Sequence, residues 1–136
     1  MSTRPAWVFN LRDETAGIPR QLKEGIRSRV FVGEHAMLSV VRIEPHTSGT
    51  IHSHPEEQWG VLLEGECVRI QDGVEAPVRA GDFWHTPSGV AHGIRTGASA
   101  AMVLDVFSPS RKEYARPGEG FGAATLHSET PGAGED

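Results

Sequence analysis

The sequence predicts an all-β domain, a single small barrel of two facing antiparallel sheets. Three observations carry that reading. Turn signals recur every roughly eight to twelve residues along the middle of the chain. Glycine and proline, 16 and 9 of 136 residues, exceed the average share of roughly 12 %, which favours turns and short strands over long helices. The runs between the turns are short and apolar, with many β-branched side chains, as in Met37–Ile43 (MLSVVRI).

Taken in order, Trp7-Val8-Phe9 reads as an edge strand, and residues 18–26 are mixed and short. From residue 28 the chain changes character. Residues 29–32 (RVFV) and Met37–Ile43 read as strands. Residues 58–63 (QWGVLL) form the next and stop at Glu64-Gly65-Glu66, a tight-turn signal. Residues 67–71 (CVRIQ) follow, then Asp72-Gly73, the strongest two-residue hairpin signal in the chain. Residues 83–86 (FWHT) stop at Pro87-Ser88-Gly89, and residues 91–96 and 100–107 are the last two strands. Beyond about residue 117 apolar periodicity is lost. The expected plan is an N-terminal segment over 1–27, one barrel over 28–116 and a loosely ordered, Gly-rich tail over 117–136. A chain of this length holds one core.

Composition excludes several function classes. With 13 Lys and Arg against 18 Asp and Glu the formal net charge is −5, a poor basis for gripping a nucleic-acid backbone. A small anionic ligand held by one local Arg remains open. The single cysteine, Cys67, excludes an intrachain disulfide and a multi-Cys zinc site, and is expected to be a small buried apolar residue. No apolar run approaches the roughly 20 residues of a membrane span, and no signal-peptide core precedes the domain. The expectation is a soluble cytoplasmic protein with no nucleic-acid or membrane partner.

The seven histidines carry the chemistry. In His52-Ser53-His54, residues two apart on a strand share a face, so both imidazoles can aim at one spot. Alone this is weak, since roughly one sequence in three of this composition holds such a pair by chance. The wider spacing is stronger. Gln58 follows His54 by four residues and Gly65 follows Gln58 by seven. Pro87, Gly89 and His92 follow Gly81 by six, eight and eleven. Five spaced matches of this kind have a joint chance of roughly 10⁻⁵ to 10⁻⁴.

The two stretches, His52-Ser-His54-Pro-Glu-Glu-Gln58-Trp-Gly-Val-Leu-Leu-Glu-Gly65 and Gly81-Asp-Phe-Trp-His-Thr-Pro87-Ser-Gly89-Val-Ala-His92, resemble the paired motifs of the cupin superfamily. The resemblance covers about residues 28–107. It implies a cupin-type β-barrel (double-stranded β-helix, or jelly roll). It also implies one divalent metal ion (Zn, Ni, Fe, Cu or Mn) on His52, His54, Gln58 and His92. Three departures stand out. His46 occupies the position where the first motif opens with Gly, Thr96 stands where Asn usually follows the last His, and Gln58 replaces the usual carboxylate ligand. A neutral ligand set leaves a bound ion its full charge, which favours anionic, oxygen-rich ligands. Two alternatives stay open. Gln58 only hydrogen-bonds nearby and the metal keeps three protein ligands, or the barrel is a metal-free sugar binder.

The run Asp105-Val-Phe107-Ser-Pro-Ser-Arg111 adds a second resemblance. Together with the neutral ligand set it is similar to small cupins of pectin and alginate breakdown, which linearise 4,5-unsaturated uronates. By that resemblance Asp105, Phe107 and Arg111 line the active site. Asp105 would move a proton, Arg111 would pair the substrate carboxylate, and Phe107 would pack on the sugar ring. Asp105 and Phe107 share one strand face. The opposite register would bury Leu104 and Val106 instead. A metal-dependent dioxygenase and a non-catalytic small-molecule binder are the rival functions. His85, alternating with Phe83, is a further lumen candidate, whereas His35, His46 and His127 are expected on the surface. Trp59 and Trp84 line the cavity mouth or join the core. The resemblance further implies a homodimer, with Trp7-Val8-Phe9 at the contact.

Overall fold

The computed structural model describes residues 4–121. Ten strands form two sheets: β1 Ile18–Lys23, β2 Ile26–Val32, β3 Met37–Ile43, β4 Glu57–Glu64, β5 Glu66–Gln71, β6 Val74–Arg79, β7 Phe83–Thr86, β8 His92–Thr96, β9 Ala101–Ser108 and β10 Gly118–Glu119. The large sheet has the order β10-β1-β2-β3-β9-β4-β7, and the small one β6-β5-β8. Every pair is antiparallel except β10 on β1. This is the all-β, two-sheet barrel that the turn spacing predicts. Among the described residues no helix is long and apolar enough to cross a membrane.

Period-two alternation sorts the side chains. Leu22, Ile26, Val30, Met37, Val41, Ile43, Leu62, Cys67, Val103 and Phe107 fill the space between the sheets. Full burial of an aliphatic or Phe side chain stabilises by about 1.5–3 kcal/mol, so this inward set fixes the register of each strand. Cys67 is a buried apolar residue, as expected. On β9 the register is settled. Phe107 is 3 % exposed and points inward, which places Asp105 on the same face and turns Leu104 and Val106 outward.

The ends of the domain differ from the sequence expectation. The sheet begins at Ile18 rather than at residue 28. The mixed stretch that hid this strand alternates inward Arg20 and Leu22 with exposed Pro19 and Gln21. Its apolar signal is weak because one inward residue is an arginine. Trp7-Val8-Phe9 forms no strand. Phe9 instead lies on Phe31, ring centroids 4.9 Å apart, on the outside of the large sheet. Past residue 117, Gly118 and Glu119 pair in parallel with Arg20 and Gln21. The rest of the expected tail, 122–136, lies outside the described residues, as does His127.

Turn chemistry explains the hairpins. Asp72 and Gly73 both have positive φ, the requirement of the tight two-residue turn their dipeptide predicts. Gly65 joins β4 to β5 at φ +90°, and a Cβ there would stand well inside contact with the Ala100 carbonyl oxygen. His46, where the resembled motif carries Gly, also has φ +55°. Thr96, in the place of Asn, accepts from the Thr47 amide and donates to the Glu44 carbonyl, and so ties down the same loop.

A left-handed conformation costs a residue with a Cβ roughly 1–2 kcal/mol. His46→Gly is therefore expected to stabilise the domain by about 1 kcal/mol, raising the thermal midpoint by roughly 3–5 °C. Gly65→Ala is expected to lower stability by about 2 kcal/mol or more. Thermal unfolding followed by circular dichroism checks both, and unchanged midpoints would show that neither turn is strained.

Candidate metal centre

The three motif histidines meet at one point. His52 and His54 do not lie on a continuous strand, as the i, i+2 argument assumes. His52 forms an isolated antiparallel bridge with His92, and His54 sits in the loop before β4. The amide of His52 donates to the His92 carbonyl at 3.0 Å, and the amide of His92 donates back at 2.9 Å. One ligand atom from each of His52, His54 and His92 lies within 4.8 Å of the other two. All three rings are buried.

Each ring is oriented by its own backbone. Nδ1 of His52 bonds the Thr50 carbonyl at 2.8 Å, Nδ1 of His54 the Glu56 carbonyl at 3.0 Å, and Nδ1 of His92 the Val90 carbonyl at 2.9 Å. A carbonyl only accepts, so each Nδ1 carries the proton and each Nε2 presents a lone pair. Burial holds the imidazoles neutral, pushing His52 down to about 3, His54 to about 4 and His92 to about 2. Three converging lone pairs on neutral rings are the donor set that a divalent cation takes.

Gln58 joins them. Its Oε1 stands 3.0 Å from His54 Nε2, and its amide also hydrogen-bonds Asp105. A carboxylate needs a donor, so Nε2 of Gln58 faces Asp105 and Oε1 faces the histidines. Two acceptors 3.0 Å apart, with no proton between them, repel unless a cation lies beside both. The residues present therefore fit a bound divalent metal.

Asp105, Phe107 and Arg111 all line the same small cavity as His52, Gln58 and His92. Burial pushes the Asp105 carboxyl up to about 6, against the opposing pull of Arg69, the Gln58 amide and Arg111. Phe107 packs edge-on against His54 and Tyr114. Arg111 is 1 % exposed. Its Nη2 donates to the Phe121 carbonyl at 2.5 Å, and its guanidinium lies over the Tyr114 ring at 4.1 Å. The two aromatic rings and the carbonyl hold this cation inside.

Residues 109–121 form a strap across this end of the barrel. Arg20 fastens it, donating to the carbonyls of Glu113, Glu119 and Gly120 at 2.8–3.0 Å. Phe121 closes over His52, ring centroids 4.7 Å apart. The enclosed space is about 50 Å³.

Other candidates fall elsewhere. His85 points outward, bonded to Glu57 at 2.6 Å and stacked on Trp59. It is not a lumen residue, because Trp84 and Thr86 take the inward face of β7. Trp59 is on the outer surface, 46 % exposed, and His35 and His46 are exposed. Two residues near the site, Glu56 and Arg69, escape motif reasoning, while Trp84, expected at the cavity mouth or in the core, packs against the core. Glu56 places a buried carboxylate oxygen 3.5 Å from His54 Nδ1 and 3.9 Å from Arg111 Nε. Arg69, buried on β5, donates to Thr86 at 2.9 Å and faces Asp105 electrostatically. Trp84 lies under the Arg69 guanidinium. Arg69 was available from alternation with Cys67 and Gln71, whereas Glu56 gives no sequence signal.

Comparison with known proteins agrees with this geometry. No curated relative matches the chain. Among solved structures, an RmlC-like cupin from Shewanella frigidimarina superposes with a TM-score of 0.70 at 22 % identity, over 82 % of this chain and 96 % of the other. KdgF from Halomonas sp. gives 0.65 at 24 %, over 69 % and 87 %. Oxalate decarboxylase from Bacillus subtilis gives 0.64 at 24 %, over 70 % of this chain but 28 % of that longer one. Residues 39–107, half of the chain, match the family described as "Cupin domain", and with the two-sheet barrel and its central histidines the chain belongs to the cupin family.

Proposed function

We propose that the chain is a metal-dependent enzyme acting on a small carboxylated sugar or keto acid, with ring opening and tautomerisation of a 4,5-unsaturated uronate as its reaction. The observation that carries this reading is the meeting, around one small cavity, of His52, Gln58 and His92 with the Asp105 carboxylate and the buried Arg111 guanidinium. The Asp105-to-Arg111 run supports the substrate class by its resemblance to uronate-linearising cupins.

In this reading His52, His54, His92 and the Gln58 oxygen hold one divalent ion. Such an ion would polarise substrate oxygens as a Lewis acid. Asp105 takes a proton from the substrate, or returns one, at a carboxylate oxygen. Arg111 pairs the substrate carboxylate, exchanging the Phe121 carbonyl for a charged acceptor that makes a stronger, bidentate bond. Phe107 presents an apolar face to the ring. A space of about 50 Å³ holds a water or two, far below the roughly 300 Å³ of small-ligand sites. The strap over 109–121 must therefore lift for a sugar acid to reach the ligands.

Three outcomes test the reading. Metal analysis after purification without chelators should find about one ion per chain. His52→Ala and His92→Ala should each lose most of it, while Gln58→Glu should keep it and bind anionic substrate more weakly. Unchanged metal content in both His variants would place the site elsewhere. With loss of uronate ultraviolet absorbance as the assay, Asp105→Asn should lower kcat by about 10²–10⁴ with metal retained. Arg111→Ala should mainly raise KM, by roughly ten- to two-hundredfold. Wild-type protein inactive on every unsaturated uronate would remove the substrate assignment and leave the metal site standing. Arg20→Ala frees three strap carbonyls, so a chelator should strip the metal about tenfold faster. An unchanged stripping rate would mean that the strap does not guard the cavity.

A further inference from the structure

We propose that Trp84 is the positioning residue of Asp105, its indole N–H donating to Asp105 Oδ1 across the gap left by Gly60. The inference rests on the reading of Asp105 as the proton-moving group, and it is built on separate observations.

The first is register. Trp84 on β7 pairs with Gly60 on β4, and Gly60 pairs with Asp105 on β9. The three stand in one row across the inner face of the large sheet. Side chains directly opposite on adjacent strands touch, but residues two strands apart are normally separated by the one between. Here the middle residue has no side chain. The second observation is what its absence leaves. A Cβ on Gly60 would stand 2.9 Å from Asp105 Oδ1 and closer still to Trp84 Nε1. Both polar atoms therefore crowd over the same glycine.

The third observation is that both atoms are wholly enclosed and neither has a hydrogen-bond partner. One is an obligate donor and the other an acceptor. The Ser39 hydroxyl, opposite Asp105 on β3, is also unpartnered. The Trp84 indole, however, is the obligate donor that shares the Gly60 gap with Oδ1, and a turn of the indole or the carboxylate would join the two. The fourth is that the indole is already held. The Arg69 guanidinium lies 5.3 Å from the ring centroid, and Arg69 is itself fixed by its bond to Thr86, two residues along β7. Gln58 holds Asp105 from the side of the histidines. With Trp84 on the other side, the carboxylate is gripped between two neutral donors. Each oxygen has two lone pairs, so one remains free on each to face a substrate. Any side chain at residue 60 would separate the pair.

The test needs no substrate for its first arm. The chain has three tryptophans, and Trp84→Phe identifies the Trp84 indole proton in a nitrogen–proton spectrum by its loss. In the metal-loaded wild type that proton should exchange slowly with deuterated water, and its resonance should move in Asp105→Asn. A resonance indifferent to Asp105→Asn, or one that exchanges freely, overturns the proposal. The second arm is kinetic. Trp84→Phe keeps the ring and loses the donor, so kcat should fall about tenfold with KM and metal content unchanged. Gly60→Ala should do the same by parting the two groups. Wild-type kcat in a folded Trp84→Phe variant overturns the positioning role. If the indole responds to Asp105→Asn while no uronate is turned over by the wild type, the Trp84–Asp105 bond is supported and the substrate reading alone fails.

Discussion

Two backbone hydrogen bonds, exchanged between His52 and His92, are the constraint on which the rest of this molecule depends. The chain between β3 and β4 has no strand of its own, yet it runs antiparallel along β8. His46 donates to Gly97, Thr96 to Thr47, Gly49 to Ile94, and His52 and His92 to each other. This ladder fastens a connection from the large sheet onto the edge of the small one. It closes the barrel on that side and carries two histidines to the third. The strained left-handed His46 and the Thr96 hydroxyl bonds belong to the same clasp, since both set where the ladder starts.

Enclosure then creates an electrostatic problem that the site's chemistry answers. Buried ionised groups are expensive unless paired or satisfied. Around this cavity stand two carboxylates, Asp105 and Glu56, two guanidiniums, Arg69 and Arg111, and otherwise neutral donors. The imidazoles are kept uncharged by burial. With Gln58 in place of a carboxylate, the fixed charges of the region balance. A bound divalent ion would make the region cationic, an imbalance that an anion relieves. The carboxylated substrate proposed above would meet that requirement.

Much of this was legible in the sequence, and the parts that were not have physical reasons. The strand cores from Met37 to Phe107 announce themselves because alternation and turn residues agree. The ligand spacing survives any loop geometry, which is why His52 and His54 converge with His92 although they lie outside a regular strand. β1 was missed because Arg20 faces inward where an apolar residue would signal a strand. Its side chain is buried against strap carbonyls that are about a hundred residues away in sequence, a partner no local pattern reveals. Trp7-Val8-Phe9 misled for the opposite reason. Phe9 lies on the outside of the sheet against Phe31 rather than extending it, and Trp7 is exposed.

The end of β9 shows how one short run can serve the fold and the site together. Strand alternation sends Asp105 and Phe107 inward, and pairing ends at Ser108. Freed from the sheet at Pro109, the chain turns back over the barrel, and Arg111 re-enters between Phe107 and Tyr114. A charged side chain placed there by sheet alternation would need a strand that stays in the sheet. Placed by a strap, it is held instead by the Phe121 carbonyl and the Phe107 and Tyr114 rings. The strap contributes Arg111, Tyr114 and Phe121 to the cavity wall. Its fastening rests on Arg20 and on the pairing of Gly118 and Glu119 with β1. The site therefore draws on two parts of the chain: the histidines, Gln58 and Asp105 on the clasp and the large sheet, and Arg111, Tyr114 and Phe121 on the strap.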